Sequence, residues 1–231
     1  MAIITTGFDA IMACTTCNRQ LQDRIYDSAF YPNLLAMLSA FIVLAAVVGI
    51  LSWLSLRRHR AAVRLYPGVI VLNPVPLATA AIVIGIGIGG FADGIVLHQL
   101  LQWHQMLSFQ MPPDTLLDSK VNMFWDGLFH LFTLLVTIIG ILLLWKLHGK
   151  TTISNSGSLL GGGIIMGWGL FNFIEGGINH HLLRLHNIRE NAADPELWNY
   201  GFLFFSALLL AIGYFLIQKA KVVILETTIP D

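Results

Sequence analysis

Five long apolar segments constrain the fold of this chain more than any other feature of its sequence. Each is long enough to cross the hydrocarbon core of a bilayer, which takes roughly 20 apolar residues in a helix. Transmembrane strands would be shorter and would alternate in polarity, so we predict helices. Because 56% of the residues are hydrophobic and only 11% are charged, the chain differs from soluble domains and is predicted to be an all-α integral membrane protein. The five predicted transmembrane helices occupy residues 33–56, 77–103, 123–147, 159–185 and 200–217.

Basic residues mark one side of the membrane. They follow the first, third and fifth apolar segments, at 57–64, at 146–150, and at Lys219 and Lys221. Because positively charged loops stay in the cytoplasm, we predict that this side is cytoplasmic. The N-terminal tail then lies outside the membrane with nearly all of the acidic residues, and the C-terminus lies in the cytoplasm. The net charge of zero and the lack of a basic face argue against binding to nucleic acid.

The two cysteines of the chain, Cys14 and Cys17, form a C-x-x-C pair in the outer tail. In an oxidising compartment such a pair is commonly a local disulfide. The alternative is a soft-metal or redox site, for which one C-x-x-C pair without a second pair of ligands is a weak signal. The sequence leaves both interpretations open.

An internal repeat organises the rest of the chain. The stretches "FADGIVLHQLLQWH" (91–104) and "FIEGGINHHLLRLH" (173–186) share their aromatic residue, acid, glycine and two histidines. The helices that follow them also correspond, with a tryptophan and two phenylalanines in register. The repeated unit is therefore a helical hairpin, present at 77–146 and again at 159–219. The equivalent pairs are Asp93 and Glu175, His98 and His180, His104 and His186, Trp125 and Trp198, Phe129 and Phe202, and Phe132 and Phe205.

Both hairpins start from the cytoplasm, so the two copies are parallel and are predicted to be related by a pseudo-two-fold axis along the membrane normal. Four helices related in this way form a four-helix bundle. The glycine runs "GIGIGG" (85–90) and "GGGIIMGWG" (161–169) would let the two inner helices approach closely at its centre. The first transmembrane helix has no counterpart in the repeat, so we expect it at the periphery.

The repeat divides the chain into four parts. Residues 1–32 form an extracytoplasmic tail, and residues 33–76 contain the N-terminal helix and a basic cytoplasmic linker. The four-helix transmembrane bundle occupies residues 77–219, and a cytoplasmic tail follows at 220–231.

Ionisable residues lie in the outer half of the predicted bundle. At 1.5 Å per residue, Asp93, Glu175 and His130 come to about the same height, about 24 Å from the cytoplasmic ends of their helices. Asp126, His98 and His180 lie about one turn further out. We expect His104 and His186 near the outer surface, three turns above the acids, where a straight helix could not bring acid and histidine to one ion.

The spacing of the polar residues raises one geometric question. Asp126 and His130 are four apart and project from one helix face, so they could serve one metal. In each repeat, however, the middle histidine follows the acid by five residues and would lie about 140° round a regular helix. A π-bulge would bring acid and histidine together, and Gly94, Gly176 and Gly177 make one plausible. A regular helix would send these histidines to another site or to neighbouring helices.

Charged groups within a bilayer cost roughly 2.5 to 3.5 kcal/mol each on insertion scales, so a cluster of them needs an explanation. A structural network of ion pairs would need cations, and the fixed ones nearby are Arg184 and Arg189. Mixed carboxylate and imidazole ligands suit iron or copper, with zinc possible, and two pseudo-symmetric sets suggest a dinuclear centre by analogy with soluble carboxylate-bridged bundles. The candidate metal ligands are Asp93, His98, His104, Asp126, His130, Glu175, His180, His181 and His186.

Three blocks of the sequence, "FADGIVLHQLLQWH", "WDGLFH" and "GWGLFNFIEGGINHHLLRLH", resemble those of a bacterial family of multi-helix membrane proteins of unknown function. The resemblance covers about residues 77–219 and implies a location in the cytoplasmic (inner) membrane of a bacterium. It implies little about activity. The N-terminal C-x-x-C pair and the helix with "RRHRAA" also resemble small membrane proteins associated with cytochrome oxidase genes.

Two functions from different classes follow from these observations. The first is a redox-active membrane metalloprotein, of oxidase or oxygenase type, with a dinuclear iron or copper centre in the outer half of the bundle. The second is a copper-binding protein that delivers metal to, or assembles, a respiratory oxidase, for which the outer methionines and cysteines are suitable soft ligands. The expected partners are the lipid bilayer and other membrane subunits of a respiratory or oxygenase complex. The sequence does not decide whether the protein turns over a substrate. The soft ligands in question are Met106, Met111, Met123, Cys14 and Cys17.

Overall fold

The computed structural model describes residues 18–65, 69–220 and 224–226, so the pair Cys14 and Cys17 lies outside the described residues. Six α-helices, two π-helical segments and two three-residue strands follow one another along the chain. In order they are α1 (Arg19–Ile25), α2 (Phe30–Leu65), β1 (Val69–Val71), α3 (Val75–Phe91), the first π segment (Ala92–Leu100), α4 (Leu116–Trp145), α5 (Gly157–Glu175), the second π segment (Gly176–Leu182), α6 (Pro195–Lys219) and β2 (Ile224–Glu226).

Five of these helices are long and apolar enough to cross a membrane, counting α3 and α5 together with the π segments that continue them. This confirms the predicted all-α membrane architecture. The helix α2 extends beyond the expected span at both ends, and the short helix α1 lies within the segment 1–32, for which the sequence predicted a tail without a named helix. Among the described residues, the only regular structure that is not helical is the antiparallel pair of short strands, β1 and β2.

Helices α3 and α5 cross at the centre of the bundle, where glycines bring their backbones into contact. A Cβ atom on Gly85 would collide with the carbonyl oxygen of Ile164, and one on Gly167 would collide with the carbonyl oxygen of Ile82. The offset that relates Asp93 to Glu175 also relates Gly85 to Gly167 and Ile82 to Ile164. The crossing is therefore reciprocal, as expected for two copies around a pseudo-two-fold axis.

The outer helices of the two hairpins pack in the same reciprocal way. A Cβ on Gly140 of α4 would lie 2.7 Å from the backbone nitrogen of Ile84 in α3. In the second hairpin, a Cβ on Gly213 of α6 would lie 2.6 Å from the backbone nitrogen of Met166 in α5. Each hairpin is thus held by a glycine on its outer helix, and the helix contacts agree with the predicted four-helix bundle.

Helix α2 lies against one side of the bundle and buries a narrow strip at helical spacing, formed by Met37, Ala40, Leu44 and Val48. Its Phe41 ring packs on the rings of Phe129 and Phe132 of α4, with centroids 5.9 Å and 6.1 Å away. It has no counterpart on the other side among the residues described, so α2 makes the two flanks of the bundle different.

The connections that adjoin the basic residues contact one another at one end of the bundle. Strand β1, between α2 and α3, pairs with β2, which follows α6. Asn73 bridges to Ile153 in the linker between α4 and α5. Five helix ends therefore meet at this end, called here the basic end, and the acids and histidines lie toward the opposite one.

Candidate metal centre

The two π segments answer the question of the five-residue step. Leu101 N–H donates to the carbonyl of Val96 at 2.8 Å, and Leu183 N–H donates to that of Ile178 at 2.7 Å, each a bond to the fifth residue back. A π-helix holds extra residues per turn, so acid and histidine come to one face. His98 Nε2 lies 3.1 Å from Asp93 Oδ2. The π-bulge hypothesis is therefore confirmed in both repeats.

Directly after each π segment, the chain turns back on itself. Gln102 and Arg184, at equivalent positions of the repeat, adopt positive φ angles of 50° and 49°. Such a left-handed residue ends a helix and lets the following backbone reverse. This corrects the expectation for His104 and His186, which do not stand three turns above the acids. The sequence argument assumed a straight helix, whereas the turn brings both histidines down beside the carboxylates.

The two distal histidines each donate a hydrogen bond to the other repeat. His104 Nδ1 donates to the carbonyl of Ile188 at 2.9 Å, and His186 Nδ1 donates to the carbonyl of Met106 at 3.0 Å. The repeat relates Met106 to Ile188, so the bonds are reciprocal. The two imidazole rings stack with centroids 4.5 Å apart and planes 2° from parallel. Outer-shell bonds of this kind fix the orientation of metal-binding histidines.

These bonds also fix the tautomer of both rings. A carbonyl oxygen can only accept, so Nδ1 of His104 and His186 carries the hydrogen, and Nε2 of the neutral ring is left with its lone pair. His186 Nε2 lies 3.2 Å from Glu175 Oε1, and His104 Nε2 lies 3.8 Å from Asp93 Oδ1. Each Nε2 is therefore close to a carboxylate oxygen but has no hydrogen-bond partner. A metal ion, or a proton on either group, would relieve the repulsion between the two acceptors.

His98 and His180 complete the cluster, with different partners. His98 Nδ1 donates to Asp126 Oδ1 at 2.8 Å, which leaves Nε2 toward Asp93. His180 Nε2 lies 3.6 Å from Glu175 Oε1, and neither nitrogen of His180 has a hydrogen-bond partner. A carboxylate bound to the far nitrogen of an imidazole is a common outer shell in metal sites, and it occurs here in the first repeat.

The whole cluster is buried away from water. The two inner acids and the four histidines are each at most 4% exposed. Burial lowers the pKa of His104 well below its ordinary value of 6.5, and the neighbouring His98 and His186 lower it further. This ring is therefore neutral at neutral pH, the form that binds a metal. Buried polar atoms normally have hydrogen-bond partners, and several here do not. They are Asp93 Oδ1, His104 Nε2, Asp126 Oδ2, Glu175 Oε2, both ring nitrogens of His180, and His186 Nε2.

The side chains form two overlapping groups of potential ligands. In one, His98, His104 and His186 bring their ligand atoms within 4.8 Å of one another, and in the other Glu175, His180 and His186 do so. Nitrogen ligands bind such metals at about 2.0 to 2.1 Å, so ligands on opposite sides of one ion are about 4 Å apart. The groups are close to this size, and the protein could hold a metal ion here.

Two other predicted ligands lie apart from these groups. The ring of His130 packs against Phe91 with centroids 6.4 Å apart, and its buried Nε2 has no hydrogen-bond partner. His181 Nδ1 lies 3.9 Å from Glu196 Oε2, and its ring contacts Tyr200. Asp126 Oδ1 bonds to His98 and to the backbone N–H of Met106, and neither Asp126 nor His130 belongs to either group of three potential ligands.

The arginines proposed for a structural ion-pair network lie elsewhere in the described part of the chain. The guanidinium of Arg189 lies over the indole rings of Trp103 and Trp198, 5.3 Å and 5.1 Å from their centroids. The contacts of Asp93 and Glu175 with basic groups are all with histidines. The cluster is therefore not neutralised by arginine.

Sequence reasoning missed the amides of the second repeat. Asn179 Nδ2 donates to Glu175 Oε1 at 3.1 Å, and Asn199 Oδ1 accepts from the N–H of Ile188 at 2.9 Å. The spacing of four between Glu175 and Asn179 would have indicated the first contact. The carbonyls of Met106 and Ile188 carry no side-chain signal, and only the folded backbone reveals them.

Comparison with known proteins gives one match. The model of the DUF2243 family, described as a predicted membrane protein, matches residues 80–220. No curated protein and no solved structure matches the chain significantly. The matched region includes nearly all of the two hairpins and every residue of the buried cluster. The chain therefore belongs to the DUF2243 family of membrane proteins.

Proposed function

We propose that this protein binds two transition-metal ions in the buried cluster, with one ion held by each repeat. Asp93, His98 and His104 would hold the first, and their counterparts Glu175, His180 and His186 would hold the second. His186 is close enough to join either group, but its Nε2 offers one lone pair and can bind one ion. The repeat and the 3.2 Å distance to Glu175 Oε1 favour the second set for His186.

One observation carries this proposal. The Nδ1 atoms of His104 and His186 are committed to backbone carbonyls, so Nε2 of each neutral ring keeps its lone pair, and these Nε2 atoms lie 3.8 Å and 3.2 Å from carboxylate oxygens. A metal ion would convert this unfavourable contact between acceptors into two bonds. A buried carboxylate without a cation is costly, whereas one that coordinates a metal is not.

Four imidazoles and two carboxylates suit iron or copper, and these are the metals that we propose, with zinc as the redox-inactive alternative. Either metal would support an oxidoreductase role of oxidase or oxygenase type. The metal would supply the electron transfer, and the protein would fix its ligands and exclude water.

The burial of the cluster favours a resident ion over transported cargo. A copper-delivery protein needs ligands that a partner can reach, whereas the six proposed ligands are each at most 4% exposed. Met106, one of the candidate soft ligands, is itself fully buried and contributes its backbone carbonyl to His186. We therefore retain the resident redox centre as the proposed function.

The orientation and surroundings of the centre are part of the proposal. The basic end of the bundle would face the cytoplasm, because positive residues remain on that side. The metal centre would then lie toward the extracytoplasmic face of a bacterial inner membrane. Further membrane subunits of a respiratory or oxygenase complex are the proposed partners.

Elemental analysis of the full chain, purified in detergent from metal-supplemented cells, tests the proposal. We expect about two iron or copper ions per chain, with a paramagnetic-resonance or optical signature of a coupled pair. His186→Ala should lose at least one ion. His148→Ala is the matched control, because His148 lies at the basic end and stacks on Trp145.

Two outcomes would overturn the proposal. One is wild-type protein that is free of metal after metal-supplemented expression and anaerobic purification. The other is His186→Ala protein that elutes as a folded monodisperse species and retains its full metal content. A single ion per chain would contradict the dinuclear arrangement but not metal binding itself. Protein that contains zinc and no iron or copper would contradict the redox role.

A further inference from the structure

An apolar groove of about 660 Å³ opens on one flank of the bundle, between the first π segment and α6. Its walls are mainly apolar, and five of the lining residues are aromatic: Trp103, Trp168, Trp198, Phe202 and Phe205. Most of the lining residues belong to helices long and apolar enough to span a membrane, and Phe205 is 45% exposed. An apolar molecule could therefore enter the groove from the lipid.

Two polar residues, Asp93 and Asn172, line the groove, and both are buried. Asp93 Oδ1 and Asn172 Oδ1 are buried atoms without a hydrogen-bond partner, so the wall of an otherwise apolar space contains two unpaired acceptors. A ligand with a hydrogen-bond donor would remove the energetic penalty of leaving them unpaired.

The internal repeat shows what kind of group the aromatic wall accommodates. The counterparts of Trp198, Phe202 and Phe205 in the first hairpin are Trp125, Phe129 and Phe132. That wall is covered by phenylalanines of α2. The Phe30 ring lies 5.4 Å from the ring of Trp125, and the Phe41 ring lies 5.9 Å from that of Phe129.

The cover makes a large difference to exposure. Trp125 is 1% exposed beneath α2, whereas Trp198 is 38% exposed on the open flank. The described residues contain no second copy of α2 to close the groove. On the flank of the first hairpin, phenylalanine rings of α2 thus fill the space that is an open groove on the flank of the second hairpin.

We propose that the groove binds a lipid-soluble hydroxyaromatic ligand of the hydroquinone class. Its ring would occupy the place that the phenylalanines of α2 take on the other flank, and its hydroxyl would donate to Asn172 or Asp93. Aromatic walls favour stacked or edge-to-face rings, and the volume lies within the range of small-molecule pockets. The inference goes beyond metal binding, because the walls and Asn172 belong to the groove whether or not an ion is present.

Binding of decylhydroquinone and of its dimethyl ether tests the proposal. The two molecules have nearly the same apolar body, but the ether cannot donate a hydrogen bond. Calorimetric titration of the full chain in nanodiscs, under anaerobic conditions and against empty nanodiscs, gives both affinities. We expect the hydroquinone to bind at least about tenfold more tightly than the ether, as an intact hydrogen bond to a buried acceptor implies.

Two glycines provide a matched pair of variants. Gly201 lines the groove, and a Cβ atom added to it would have no other atom within 4 Å. Gly127 of α4 is equally open but lies outside the groove. Gly201→Leu should weaken hydroquinone binding at least about tenfold by filling the groove, and Gly127→Leu should leave it unchanged. Asn172→Leu should remove most of the preference for the hydroquinone over the ether.

Equal affinity for the two molecules in the wild type would overturn the proposal, since it would indicate partition into any apolar space. Unchanged binding in Gly201→Leu would place the ligand elsewhere and would also overturn it. The same titration on metal-depleted protein separates this inference from the metal centre. Hydroquinone binding that persists there supports the groove even if elemental analysis finds no metal in the wild type.

Discussion

The two hairpins place different residues at the same position of their outer helices, Asp126 in the first and Asn199 in the second. Both side chains accept a hydrogen bond from a backbone N–H. Asp126 Oδ1 accepts from the N–H of Met106 at 2.8 Å, and Asn199 Oδ1 accepts from that of Ile188 at 2.9 Å. The returning loops are therefore anchored in the same way.

Beyond this shared bond the two residues act differently. Asp126 also accepts a hydrogen bond from His98, whereas Asn199 donates to the side chain of Asn187, and neither nitrogen of His180 has a partner. An aspartate and an asparagine have nearly the same shape, so the frame stays symmetric while the charge does not. The comparison teaches that the backbone geometry of a repeat can be kept while the surroundings of the two middle histidines, and so of the two proposed ion positions, are made unequal.

Substitutions at the crossing of α3 and α5 are the most sensitive test of the backbone symmetry that the two hairpins share. Gly85→Ala and Gly167→Ala should each destabilise the protein by about 3 kcal/mol or more, because the added methyl meets a backbone carbonyl that cannot move aside. The two effects should be equal within error in thermal or denaturant unfolding in detergent. Gly161→Ala is the control, since a Cβ there meets no atom within 4 Å. Unequal destabilisation by the two substitutions would contradict the symmetric packing of α3 and α5.

Removal of a distal histidine should give the next largest effect. His104→Ala and His186→Ala should each lower metal affinity by more than about a hundredfold, since loss of even an outer-shell partner costs about 10- to 100-fold. Each variant also leaves a carbonyl of the other repeat unpaired. Metal competition with a chromogenic chelator measures the affinities. If one variant lost metal and the other kept it, the proposed set of that repeat would be wrong.

Asp126→Asn makes the first repeat resemble the second and tests the asymmetry itself. We expect an affinity loss of about 10- to 100-fold for one of the two ions, because His98 loses its carboxylate partner. The bond from Met106 N–H can persist to the amide oxygen, so the fold should be retained. Asn199→Ala is the comparison, because it removes the backbone anchor without touching His98. Equal loss of both ions in Asp126→Asn would show that the ion positions are not separate.

The smallest expected difference lies at the glycines that follow the acids. A Cβ on Gly94 would collide with Nε2 of His130, whereas one on Gly176 would lie 3.2 Å from Phe202 and 3.4 Å from Leu203. Gly94→Ala should therefore destabilise the protein by about 1 to 2 kcal/mol, and Gly176→Ala by less than about 1 kcal/mol. Unfolding in detergent distinguishes them. A larger effect of Gly176→Ala would mean that His130 gives way easily.

Local patterns made most of the fold predictable. Apolar length predicted the five spanning helices, and the repeat predicted the two hairpins and the close approach of their glycine runs. The five-residue step from Asp93 to His98 raised the π segment as one of two alternatives, because a regular helix would have separated the two side chains. These properties depend on residues that are near in sequence or repeated in it.

The positions of His104 and His186 could not be predicted in the same way. They depend on left-handed turns at Gln102 and Arg184, residue types that seldom adopt such a conformation. The partners of the two histidines are backbone carbonyls of the other repeat, and a carbonyl is present at every residue. Contacts of this kind are determined by tertiary packing and leave no mark in the residue types.

The reciprocal bonds of the distal histidines also set an order of events during synthesis. His104 needs the carbonyl of Ile188, which the ribosome supplies only after the second π segment is complete. The first hairpin can therefore enter the membrane before the ring of His104 has its partner, whereas the bond between His98 and Asp126 lies within that hairpin. Both distal rings of the proposed centre can be oriented only after the chain has been made as far as Ile188, so a chain that ends before the second π segment would lack the bond that orients His104.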